Sequence, residues 1–344
     1  MKLLVIRFSA LGDVAMSVPV IDSLARQHPE LNITMLSKVF VEPMFAHMPD
    51  NVTFQGVNLD DYKGIGGLYR LFKTLRKEHF DAVADIHDVL RTKILRFFFK
   101  MAGIRSAHID KGRSEKKALC RTKDKRFRQL KTSFQRYADV FETLGWHVEP
   151  RFHSIFGTGK GDDSLFSGLA DSSEKKRWIG IAPFAAHTGK VLPFETTSDI
   201  ISQLSQDEGN HLFLFGGGTQ EKELLNRLAK GKEQVTVVAG KLKMTGELAL
   251  MSHLDVMVSM DSANMHLASL TGIPVVSVWG ATHPYAGFMG WKQKEENAIQ
   301  ATLDCRPCSI FGNKPCHRGD YACLRQLAAN EIVARIYSII PRKP

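Results

Sequence analysis

The sequence predicts an α/β protein of two domains, each a parallel sheet wound with helices. Three observations carry that reading. Apolar runs of strand length alternate with amphipathic segments, the alternation stops at a polar stretch near the middle, and it then restarts. At 344 residues the chain is long for one hydrophobic core, so two domains of ordinary size are expected. No long charge-free apolar stretch is able to span a bilayer. Arg7 and Asp13 interrupt any signal-peptide core at the start, which reads better as a buried strand.

KLLVIRF (2–8) is that first strand, and 18–27 is an amphipathic helix following a turn. NITMLS (32–37) is a strand, 68–77 a helix, DAVADIH (81–87) a strand, and 89–101 a helix. A further helix covers 134–144 and ends at Gly145. Residues 157–176, GTGKGDDSLFSGLADSSEKK, have the Gly, Ser and Asp content of a linker. The domains are therefore expected at 1–160 and 175–344. In the second, WIGIAPF (178–184), HLFLFGG (211–217), QVTVVAG (234–240), LDVMVSM (254–260) and VVSVWG (275–280) are strands. Two doubly wound domains facing a central cleft is the expected architecture, with ligands beyond the carboxyl ends of the strands.

Two junctions place polar chemistry at those ends. After LDVMVSM, Asp261 is positioned to cap a helix over 262–271, closed by Gly272. The free N–H groups and positive dipole end of that helix suit a diphosphate, and His266 shares a face with Ser262. An ordinary cap and a core histidine would read the same way. After KLLVIRF, the run RFSALGDVAMSVP offers a tight turn at Gly12 and a second acid, Asp13, where the next helix begins. An acid at the carboxyl edge of a central strand in each half suggests one reaction centre built from both.

These motifs resemble the heptosyltransferases of glycosyltransferase family 9, which build the inner core of lipopolysaccharide. The N-terminal pattern is Arg7, Ser9, Gly12, Asp13, Val14 and Pro19; the C-terminal one is Asp261, Ser262, His266, Ala268, Pro274, Trp279, Gly280 and Thr282. AHTGKVLPFE and FGGGTQEKE extend the similarity over nearly the whole chain. The resemblance implies a GT-B fold, with acceptor on the N-terminal domain and donor on the C-terminal one. It implies inverting, metal-independent transfer from ADP-heptose with no cofactor, on the cytoplasmic face of the inner membrane. Asp13 matches the base that deprotonates the acceptor hydroxyl, Lys190 the lysine that neutralises the leaving diphosphate, and Glu221 an acid that binds the ribose. Asp261, with Ser262, Ala263 and their amides, matches the sugar-diphosphate site. Ala263 stands where the family usually has Gly, and Leu192-Pro193 where it tends to have Trp-Pro.

The residues agree with that chemistry. Glycosyl transfer needs a base on one side of the anomeric carbon and stabilisation of the leaving group on the other. No Asp-x-Asp metal motif occurs, so a lysine and a helix N-terminus are expected to do a metal's work. The net charge of +10 favours anionic partners. Ten basic residues face two acidic ones over 111–131, in the expected acceptor domain. Arg121, Lys123, Arg126 and Arg128 are therefore candidate contacts to an anionic, lipid-anchored acceptor, although a solvated loop has the same composition. Phe97, Phe98 and Phe99 lie on a basic helix, as core or as a membrane-facing patch. Cys305, Cys308, Cys316 and Cys323 resemble a zinc knuckle, but reduced thiols packing a loop are the preferred reading. No Gly-x-Gly-x-x-Gly or P-loop is present, which excludes the usual dinucleotide and nucleotide-hydrolase signatures. A nucleic-acid-binding protein would explain the charge but not the paired acids. The alternative kept open is a family 9 enzyme using another nucleotide sugar or acceptor.

Overall fold

The computed structural model describes residues 1–340 and divides into two compact units. In the first, the chain runs β1 (Lys2–Ile6), α1 (Leu11–Gln27), β2 (Asn32–Lys38), β3 (Val52–Val57), α2 (Gly64–Arg76), β4 (Ala82–Asp85), α3 (Leu90–Met101) and β5 (Arg105–His108). It leaves this unit for 113–130, which carries the short helix α4 (Arg113–Leu119), and returns as α5 (Ser133–Thr143). The five strands are parallel in the order β3-β2-β1-β4-β5. β1 and β4 are central, and buried side chains such as Leu4, Ile6 and Val83 pack under α2 and α3 through Leu71, Leu75, Leu95 and Phe99. Buried on both faces, such strands read as continuous apolar runs.

The second unit contains β6 (Arg177–Ala182), α6 (Phe194–Ser205), β7 (Asn210–Leu214), α7 (Gly218–Ala229), β8 (Val235–Val237), α8 (Met244–His253), β9 (Val256–Met260), α9 (Ala263–Leu270), β10 (Val275–Trp279), β11 (Ala298–Gln300), α10 (Ala322–Arg325) and α11 (Ala329–Ile339). Its six strands are also parallel, in the order β11-β10-β9-β6-β7-β8. In each sheet the strand order reverses once beside a central strand: between β1 and β4 in the first, and between β6 and β9 in the second. Those two points are where an open α/β sheet binds its ligand.

The structure corrects three expectations. Helix α1 begins at Leu11, seven residues before the expected start, and continues through Pro19. Proline removes one helical hydrogen bond, but Val14 to Ala25 are all buried and hold the helix together. The stretch 157–176 is not a free linker. Phe166 is buried against Trp178 and His253, and the Gly161 N–H donates to Ser252 Oγ at 2.8 Å. A Cβ on Gly161 would lie 2.5 Å from Ala249 Cα, so glycine is what lets the chain lie there. The basic segment 113–130 groups with 156–344 rather than with the N-terminal residues. Leu119 and Leu130 bury against Ala286, the Leu130 N–H donates to Tyr285 O at 2.9 Å, and Lys125 Nζ donates to the carbonyls of Asp304 and Arg306.

Candidate active site

At the reversal point of the first sheet, the chain leaving β1 carries Arg7, Ser9 and Asp13. Arg7 is buried, and its guanidinium pairs with Asp13 Oδ2 at 2.7 Å while donating to Ile86 O and lying over the Tyr137 ring. Tyr137, from α5, donates its hydroxyl to Asp13 O at 3.2 Å. Asp13 thus sits in the first turn of α1 with its carboxylate fixed by a cation, and its side chain remains 31% exposed. The chain leaving β4 contributes His87. Its Nδ1 faces the Phe8 N–H at 3.4 Å and its Nε2 faces Ser9 Oγ at 3.3 Å. A backbone N–H can only donate, so Nδ1 accepts and Nε2 carries the proton. Burial, followed by the nearby Arg7 and Lys111 charges, pushes the imidazole down to about 4 and keeps it neutral at physiological pH.

At the reversal point of the second sheet, the loop after β6 brings Lys190 to Asp261, which follows β9. The charges lie 3.1 Å apart, with side chains 15% and 5% exposed. The helix that follows differs from the sequence reading. Ser262, not Asp261, is the N-cap of α9 and makes no side-chain capping bond, and the Asp261 carboxylate is turned to the lysine. The first N–H groups of α9, from Ala263 onward, have no partner within the helix and remain available to an anion. His266 lies on α9 and is buried.

Glycines set the position of Lys190. A Cβ on Gly280 would stand 2.5 Å from Gly189 O, and one on Gly312 would stand 2.5 Å from Lys190 Cγ. Two backbone segments therefore close on the lysine loop, and the Ala281 N–H donates to Gly189 O at 2.8 Å. Arg306 ties down the same turn by donating to the carbonyls of Gly280, Trp279 and Thr282. Burial pushes its guanidinium down to about 10, where it still holds its charge at neutral pH. Glu221 lies in the first turn of α7 and accepts the Gly217 N–H at 2.7 Å through one carboxylate oxygen.

Lys190, Asp261, Ser262 and Ala263 thus come together, whereas Glu221 lies beyond β7 on the same sheet. Arg121, Lys123, Arg126 and Arg128 are exposed and in no ion pair among the described residues, on a segment that packs with this second unit. All five cysteines are free thiols, and among the described residues no three His, Cys, Asp or Glu are placed to hold a metal ion. Sequence reasoning gave no role to Arg7, His87 or Arg306. The signal for His87 was present: DIHD puts polar residues at the end of an apolar strand, as at the other two junctions.

Residues 68–315 match the sequence profile of glycosyltransferase family 9 (heptosyltransferase). The chain is 24% identical to lipopolysaccharide heptosyltransferase 3 of Escherichia coli K12 over 314 residues, covering 84% of each. In fold it resembles E. coli ADP-heptose lipopolysaccharide heptosyltransferase II, with a TM-score of 0.71 and 19% identity over 99% of this chain and 98% of that one. It also resembles E. coli heptosyltransferase WaaC in a structure with ADP, with a TM-score of 0.67 and 18% identity over 98% and 100%. Two parallel α/β units with the family's motifs at their reversal points, and a profile match over most of the chain, make this protein a member of glycosyltransferase family 9.

Proposed function

We propose that this protein transfers heptose from ADP-heptose to the inner core of lipopolysaccharide, with inversion and without a metal ion. The observation that carries the reading is the partly exposed Asp13 carboxylate, fixed by buried Arg7 at the reversal point of its sheet. As the acceptor oxygen attacks the anomeric carbon, Asp13 takes its proton. The bond from that carbon to the diphosphate breaks, and the negative charge that appears on ADP meets Lys190 and the N–H groups of α9. Transfer in one displacement inverts the anomeric configuration. Asp261 is itself an anion, so its part is to aim Lys190 and to accept hydrogen bonds from sugar hydroxyls rather than to hold phosphate. Glu221 keeps one carboxylate oxygen for the ribose hydroxyls.

The names of the relatives support heptose and lipopolysaccharide. The exposed cations Arg121, Lys123, Arg126 and Arg128 fit an anionic acceptor. Because they pack with the donor-side unit, their independence from donor binding no longer follows from domain membership. A cytoplasmic site at the inner membrane fits the five unpaired thiols, and no helix among the described residues is long and apolar enough to cross a membrane. The test is Asp13→Asn, assayed by release of ADP and by donor affinity. Turnover should fall by about 10²–10⁴-fold with donor binding retained. Near-wild-type turnover would remove Asp13 from the mechanism, and activity abolished by EDTA and restored by Mg²⁺ would remove metal independence.

A further inference from the structure

Helix α3 has two apolar sides. Thr92, Leu95 and Phe99 face inward and are fully buried. The side turned to solvent should be polar, yet Leu90, Ile94, Phe97 and Met101 recur there at helical spacing, with Leu90 76%, Phe97 57% and Met101 73% exposed. Neighbouring α2 adds exposed Ile65 and Tyr69, and the Tyr69 ring meets that of Phe98 at 5.3 Å. Five of the eleven exposed large apolar side chains among the described residues lie on these two helices, which makes a patch rather than scatter. Beside the patch, Ile65, Leu68, Leu90 and Ile94 line a groove of about 660 Å³ that runs to Ser9 and His87 of the candidate site, with Lys38 and Arg91 at its wall.

The charge carried by these two helices has one sign. Neither helix contains Asp or Glu. Lys93 and Arg96 are taken up by Asp85 and Asp88, while Arg70, Lys73, Arg76, Arg91 and Lys100 are in no ion pair among the described residues. A second copy of the chain would bring these five cations against five more. An anionic bilayer offers acyl chains to the stripe and phosphates to the cations that flank it.

We infer that the solvent-facing sides of α2 and α3 dock onto an anionic phospholipid membrane. Leu90, Phe97, Met101 and Ile65 enter the acyl boundary, and the unpaired cations sit at the phosphates. This rests on the reading of a lipid-anchored acceptor at a membrane and adds the surface that meets it.

The test is co-sedimentation of the full chain with vesicles of phosphatidylglycerol and phosphatidylethanolamine, against phosphatidylcholine alone. Transfer to a deacylated, water-soluble acceptor is measured in parallel. Each apolar anchor removed should lower vesicle partitioning by about tenfold. Phe97→Ser/Met101→Ser should therefore lose binding by about a hundredfold. Arg70→Gln/Lys73→Gln/Lys100→Gln should weaken it on anionic vesicles and remove its salt dependence. Both should retain transfer to the soluble acceptor within about twofold, which also shows that they are folded. Undiminished vesicle binding by the apolar variant would overturn the inference. So would release only by Arg121→Gln/Lys123→Gln/Arg126→Gln/Arg128→Gln, or a wild-type dimer that the apolar variant dissociates. Failure of wild-type protein to bind anionic vesicles would remove the membrane reading as well. Failure to transfer heptose would bear on the reaction alone, because the vesicle measurements stand without it.

Discussion

Replacing Lys190 with Met removes one charge of a buried pair while keeping most of the side chain's volume. At 3.1 Å the pair's attraction is about 5 kcal/mol at an effective dielectric of ~20, most of it offset by the cost of taking both ions out of water. The variant loses the attraction but keeps the desolvation of Asp261, whose side chain is only 5% exposed. A stability loss of about 3–5 kcal/mol in the second unit is therefore expected. Asp261→Asn should cost less, about 1–2 kcal/mol, because the longer lysine can turn its ammonium toward water. The double variant should recover most of the stability, since neither charge is then stranded. Urea unfolding at constant pH measures this, followed through the tryptophans, of which Trp178, Trp279 and Trp291 report on the second unit and Trp146 on the first. Turnover separates structure from chemistry: the double variant should regain stability yet remain impaired by about 10²-fold or more, because only the N–H groups of α9, and no cation, then meet the leaving diphosphate. A cost below about 1 kcal/mol for Lys190→Met would refute the buried-pair argument. Recovery of turnover along with stability in the double variant would remove Lys190 from the reaction.

Burial pushes the Glu247 carboxyl on α8 up to about 7 from 4.5, so the folded state holds its proton more tightly than the unfolded state. Its contribution to stability declines as pH rises from about 4.5 to 7, and Glu247→Gln should stabilise the protein by up to about 3 kcal/mol at pH 8 and not at pH 4, read from thermal unfolding at both. His87 behaves in the opposite way: its folded value, about 4 against 6.5, means stability is lost as pH falls from about 6.5 to 4. His87→Gln should flatten that acid limb in a pH series of urea midpoints. In Gly280→Ala the new Cβ would lie 2.5 Å from Gly189 O, backbone that cannot yield cheaply. The variant should lose about 1–3 kcal/mol, and Lys190 should be displaced, raising the donor KM in steady-state assays.

The fold was legible where strands are buried on both faces. LLVI, WIGIA, VMVSM and VVSVW leave no other economical reading. The strands that sequence reasoning passed over, β3, β5 and β11, lie at or near sheet edges, where half-exposed residues give VTFQGV, RSAH and AIQ no apolar run. Helix α1 is longer than its sequence suggests because Gly12 and Pro19 look like punctuation, and only its burial overrides them. The allegiance of 113–130 was hidden for a different reason. It depends on Leu119, Leu130 and Lys125 meeting partners more than 150 residues away, which no local pattern encodes.

The candidate site was legible as polar residues at strand ends, but its pairings were not. Lys190 and Asp261 stand 71 residues apart in the chain (261 − 190) and meet only because β6 and β9 are neighbours in the sheet. The pairings also show what each unit offers. Both reversal points hold a cation and an acid in contact, at 2.7 Å in the first unit and 3.1 Å in the second. In the first the acid is the more exposed partner, 31% for Asp13 against 7% for Arg7. In the second the cation is, 15% for Lys190 against 5% for Asp261. The same device therefore presents a carboxylate in one unit and an ammonium in the other. A displacement at a sugar carbon needs that division, with a group to receive a proton from the attacking oxygen and a group to meet charge on the departing one. In each unit the buried partner holds the exposed one in place before substrate arrives, so little reorganisation remains for the reaction step.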